Sequence, residues 1–128
     1  MSSTQVAAAL EPARRALDAT IIGDLLDTMG DEFGDLVRVY LEDAPQRLRE
    51  LEFAAEGNDA AAQVAPAHTL KSSSANIGAT ALSELARHIE QTARSGIATT
   101  PADIAHGIRR EYERVAEELS VLLQRGTA

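Results

Sequence analysis

Ala67-His68-Thr69-Leu70-Lys71-Ser72-Ser73-Ser74-Ala75-Asn76-Ile77-Gly78-Ala79 is the stretch from which the rest of the chain can be read. Plotted at about 100° per residue, Leu70 and Ile77, with Ala67 and Ser74 beside them, form the apolar stripe a helix needs to pack against neighbours. His68 falls on the other side. Ala61, Val64, Ala65, Ser72 and Ala75 lie within roughly 60° of it, and Lys71 stands on the flank. A solvent-facing imidazole in a flat collar of small side chains, with an ammonium within reach, suits a reaction in which another macromolecule delivers or removes an anion.

Working outward, the apolar spacing is helical everywhere and no strand signal competes. Residues 1–17 read as an Ala-rich arm or short helix, broken near Pro12. Ile21, Ile22, Leu25, Leu26 and Met29 mark a short helix over 18–29, with Asp18 or Thr20 as N-cap and Gly30 as the stop. From Asp31 to Glu56, Phe33, Leu36, Val37, Tyr40, Leu41, Leu48, Leu51 and Phe53 mark a long amphipathic helix with a bend expected at Pro45. Gly57-Asn58 turns the chain and Asp59 caps a helix over 60–76, in which Pro66 removes one backbone hydrogen bond and predicts a kink before His68. Gly78 ends that helix, and a further one over 80–94 is expected to bury Leu82, Leu85, Ala86 and Ile89. Thr100-Pro101 reads as N-cap and first residue of a last helix reaching about Gln124.

Four long amphipathic helices on short loops fold most simply as an all-α, antiparallel up-down four-helix bundle with an additional short N-terminal helix or helices. The expected division is an arm at 1–17, the bundle at 18–124 and a tail at 125–128. Counting outward from Gly78, the structural turn, His68 faces positions near 88 to 90 of the next helix. Glu90 is the best placed to touch the imidazole, ahead of His88 and Gln91.

Composition narrows the function classes. A chain of 128 residues has room for one domain, not for a catalytic and a regulatory one. The absence of cysteine excludes a disulfide framework and a thiolate metal site. The three histidines lack mutual i, i+4 spacing, so no metal site is expected. No apolar run approaches the roughly 20 residues of a membrane span and no signal peptide opens the chain, so a cytoplasmic protein is expected. A net charge of −8 argues against nucleic acid and anionic membrane as partners. Two Phe, two Tyr and no Trp offer no stacking platform for bases. The initiating Met1 favours a complete small protein, and the lack of an exposed heptad seam favours a monomer.

The run 67–79 resembles the phosphorylatable motif of histidine-containing phosphotransfer (HPt) domains, which reads His-x-Leu-Lys-Gly-Ser-Ser-x-x-x-Gly-Ala. The likeness extends through helix order and lengths from about Asp18 to Leu123, and its specificity lies in 67–79. It implies a carrier that shuttles a phosphoryl group between receiver-domain aspartates through a phosphohistidine at His68, with no ATP-dependent kinase activity of its own. Lys71 carries over as the charge neutraliser and Gly78 as the turn. The implied partners are receiver domains of response regulators or of a hybrid sensor histidine kinase. Their Mg²⁺ serves the reaction, so the chain itself needs no cofactor. Ser72 departs from the pattern, placing a hydroxymethyl group where the family usually has glycine.

The chemistry is consistent with that resemblance. A neutral imidazole keeps one nitrogen as nucleophile while an acceptor on the other fixes the tautomer, and Glu90 is the candidate acceptor. Spread-out negative charge in phosphoryl transfer calls for a nearby cation and fixed geometry; Lys71, the sole lysine, answers the first need. The small residues Ala61, Val64, Ala65, Ser72 and Ala75 are the expected partner-binding collar. Arg87 and Arg94 read first as solvated charges, and His88 and His106 as ordinary surface residues. Two other functions compete: an adaptor that binds and sequesters a receiver domain without phosphorylation, and an enzyme using His68 as general base on a small molecule. The second lacks a cleft with convergent polar groups.

Overall fold

The computed structural model describes residues 16–126. Five helices follow in order: α1 (Ala19–Met29), α2 (Glu32–Glu56), α3 (Ala60–Asn76), α4 (Thr80–Arg94) and α5. The last comprises an α-helical turn (Pro101–Ile104), a π-helical segment (Ala105–Arg109) and a long α-helical stretch (Arg110–Gly126). No strand occurs among the described residues. The architecture is the expected all-helical bundle, in which α3 packs most extensively on α4 and next on α2.

The helix ends are set by local chemistry. Asp18 caps α1, its carboxylate accepting from the Thr20 and Ile21 N–H groups; Thr20, the alternative cap, lies inside the helix. Asp59 accepts from Ala62 N–H at the start of α3, and Thr100 Oγ1 accepts from Asp103 N–H ahead of Pro101. α2 passes through Pro45, and α3 through a buried Pro66, without a break in either helix. Between α3 and α4 the chain turns in three residues, Ile77 to Ala79, with Gly78 at φ 81° and Ala79 N–H donating to Ser74 O. Asp18 N–H donates to Gly78 O, which ties the entry of α1 to this turn.

The core is aliphatic: Leu17, Ile22, Leu48, Leu51, Leu70, Ile77, Leu82, Ile104, Ile108 and Leu119 are almost fully buried. Residues 1–15 of the expected arm lie outside the described residues. Ala16 and Leu17 belong to the core, and both their N–H groups donate to the Glu118 carboxylate on α5. Burial pushes the Glu118 carboxyl above its ordinary range, against the pull of those two donors. Two side chains expected inside are outside: Phe53 is 79% exposed and Leu85 36% exposed. By helical phase Phe53 falls on the side of α2 opposite its buried stripe, whereas Leu85 lies at the margin of the apolar arc of α4.

Buried polar groups lock the helices in register. Tyr40 and Ser74 hydroxyls bond at 2.9 Å between α2 and α3, and burial pushes the Tyr40 phenol up, so it stays a neutral O–H. Gln63, with no exposed surface, holds the backbone of Thr99 from both sides, donating to its carbonyl and accepting from its N–H, each at 2.9 Å. Ser83 Oγ on α4 donates to Lys71 O on α3 at 2.8 Å. That bond fixes the α3–α4 pairing through which the functional side chains meet.

Candidate functional site

His68 leaves the solvent face of α3 with its side chain 56% exposed. Helical phase explains this, because Leu70, Ala67, Ser74 and Ile77 take up the buried arc of the same segment. Around the ring, Ala61, Ala65, Ser72 and Ala75 are exposed and Val64 is partly so, which reproduces the expected collar. The three serines divide their work. Ser74 bonds Tyr40, Ser73 reaches back to Leu70 O, and the exposed Ser72 hydroxyl makes no hydrogen bond among the described residues.

Across the groove, Glu90 rises from α4 with only 4% of its surface exposed. Its Oε2 lies 2.9 Å from His68 Nδ1, and its Oε1 lies 2.8 Å from Lys71 Nζ. Arg94, one turn further along α4, donates to the same Oε2 from Nε at 3.2 Å and from Nη2 at 2.9 Å. The Lys71 ammonium, followed by the guanidinium of Arg94 and the imidazole, outweighs burial and pulls the Glu90 carboxyl from its ordinary 4.5 down to about 2. Glu90 is therefore a carboxylate at neutral pH. A carboxylate can only accept, so Nδ1 carries the proton in the neutral ring and Nε2 is left with its lone pair toward solvent.

The structure brings together His68, Lys71 and Glu90, as the spacing predicts, and it sets aside the alternatives. His88 and Gln91 are exposed, and the ring bonds Glu90 instead; His88 lines a shallow groove between α4 and α5 with Leu85 and Ile97. Arg87 pairs with Glu84 on the surface. Arg94, read from sequence as a solvated charge, belongs to the site. Its i, i+4 spacing from Glu90 is the signal that could have found it.

A known family accounts for this arrangement. The family model described as the Hpt domain matches residues 35–118 of the chain. The crystal structure of histidine-containing phosphotransfer protein B from Pseudomonas aeruginosa is similar, with a TM-score of 0.79 and 32% sequence identity over 86% of this chain and 96% of that one. No curated protein sequence matches the chain. The chain belongs to the Hpt domain family. Hpt domains act in histidine phosphotransfer within phosphorelays, where they interact with receiver domains. In this Hpt domain the family's matched region spans α2 to α5 up to Glu118, and so contains every residue of the His68–Glu90–Lys71–Arg94 cluster. Among the described residues no helix is long and apolar enough to cross a membrane.

Proposed function

We propose that His68 is the phosphorylated residue and that the protein carries a phosphoryl group from one receiver aspartate to another. The observation that carries this reading is the 2.9 Å bond between His68 Nδ1 and the buried Glu90 carboxylate on an otherwise open ring. In the forward step the Nε2 lone pair forms the N–P bond while the P–O bond of the aspartyl phosphate breaks. Its electron pair leaves on the aspartate carboxylate. No proton has to move: Nδ1–H stays on Glu90, whose negative charge balances the positive charge the ring acquires. The return step is the reverse, so the same contacts serve loading and unloading.

Lys71 neutralises charge on the phosphoryl group. An ammonium has three donors, so Lys71 can keep one on Glu90 and turn another outward. The small collar of Ala61, Val64, Ala65, Ser72 and Ala75 is the surface on which a receiver domain seats, bringing its own Mg²⁺. The carrier works as a monomer, which light scattering checks. The adaptor reading is not favoured, because docking alone gives no reason for a buried carboxylate held against the ring.

The test is label transfer from a phosphorylated receiver domain to the wild type and to His68→Gln. Acid-labile, base-stable label on the wild type alone is the expected result. Equal labelling of the variant, or acid-stable label, refutes phosphorylation at His68.

A further inference from the structure

Glu90 serves three donors with two oxygens. Oε1 is taken by Lys71, while Oε2 is shared between His68 Nδ1 and the Nε and Nη2 groups of Arg94. The charged groups acting on Glu90 are thus Lys71 and His68 from α3 and Arg94 from its own helix; α5, which also packs on α4, adds none among those pulling on the carboxyl. On α2, the other neighbour of α3, Arg47 is held by Asp43 and Glu50. Lys71 can turn toward a phosphoryl group, but Arg94 approaches on the Nδ1 side of the ring, through the oxygen that the ring itself uses.

We infer that Arg94 is a positioning residue that tempers Glu90 as acceptor for His68 Nδ1–H, and so keeps the phosphohistidine labile enough to be passed on. The inference rests on phosphorylation at His68. While phosphorylated at Nε2, the ring with Nδ1–H carries positive charge, and a stronger acceptor on Nδ1 stabilises that state. When the N–P bond breaks, its electron pair returns to the ring and the positive charge vanishes, so an over-strong acceptor holds the phosphoryl group back. A guanidinium donating two N–H groups to the same oxygen weakens that acceptor by sharing its electron density. A carrier has to load and unload with comparable ease, and Arg94 is placed to set that balance without touching the phosphoryl group.

The test compares wild type, Arg94→Gln, Arg94→Lys, Glu90→Gln and the double variant Arg94→Gln/Glu90→Gln, with thermal melting to confirm folding. Each is labelled from a phosphorylated receiver domain, separated from it, and followed for loss of label to water and to fresh receiver. Loss from Arg94→Gln is expected to slow about two- to fivefold, the range of an exposed charge-assisted contact. Arg94→Lys should return toward wild type. In the Glu90→Gln background the Arg94 change should have no effect. Unchanged or faster loss from Arg94→Gln, or slowing that persists without the Glu90 carboxylate, overturns the inference. If the wild type takes no label, the phosphotransfer reading fails, and the His68 Nδ1–H proton resonance of ¹⁵N-labelled protein still decides this one. That resonance should move downfield in Arg94→Gln; no movement, or movement upfield, refutes the role given to Arg94.

Discussion

Replacing Glu90 by Gln keeps the side chain's shape and one carbonyl acceptor while deleting the charge that Lys71, Arg94 and His68 converge on. The carboxyl lies at about 2 against an ordinary 4.5. At 1.36 kcal/mol per pH unit, that gap amounts to about 3 kcal/mol for a fully shielded carboxylate. His68 and Arg94 are 56% and 60% exposed, so solvent screens two of the three partners. The expected loss at pH 7 is therefore reduced to about 1–2 kcal/mol. Because the folded-state value is depressed, this stability is fully present above pH 4.5 and is lost as pH falls toward 2. Urea unfolding of both proteins across pH 7 to 2 measures it. With a slope of about 1–3 kcal/mol per molar urea, the Glu90→Gln midpoint should fall by about 0.5–1 M at pH 7. The two midpoints should converge near pH 2. A deficit that does not change with pH, or a variant more stable than wild type at pH 7, refutes the reasoning that the carboxylate's charge holds this cluster together.

Two further outcomes are expected. Gly78 sits at φ 81°, and a Cβ there would press at 3.3 Å on Ile21 Cγ2 and Ile22 Cδ1; Gly78→Ala should cost about 2 kcal/mol in urea unfolding, from left-handed strain plus displacement of a buried side chain, and a loss below about 0.5 kcal/mol contradicts it. Ser72→Gly removes an exposed, unbonded hydroxymethyl group one turn from His68, so phosphoryl transfer from a receiver domain should speed up in stopped-time labelling even though stability falls by about 0.5–1 kcal/mol. Transfer that is unchanged or slower shows that the hydroxymethyl group does not hold the partner off.

Much of the site was legible because its determinants are local. The phase of Leu70, Ala67, Ser74 and Ile77 forces His68 outward, and the turn at Gly78 lets residue counting bring Glu90 opposite it. The convergence of Lys71 and Arg94 on one carboxylate was not legible, because which of two neighbouring helices a flanking cation leans toward depends on the rotation of α3 against α4. Leu85 shows the same limit: it lies at the margin of the apolar arc of α4, and only the reach of the neighbouring helices decides whether such a position is covered, whereas the phase of Phe53, opposite the buried stripe of α2, already places it outside.

By itself the sequence determined the number of helices among the described residues and most of their ends, since Asp18, Asp59, Gly78 and Thr100-Pro101 act on backbone groups within three or four residues. It also determined that His68 faces solvent. Only the tertiary structure decided the π-helical segment at Ala105–Arg109, around which Ile104 and Ile108 stay buried while Arg109 reaches Glu52 on α2. It alone decided that Gln63 clamps Thr99, and that one buried carboxylate takes an imidazole, an ammonium and a guanidinium together. These features depend on the distance and rotation between helices, which are set by packing summed over the whole core, and no short stretch of the chain encodes that sum.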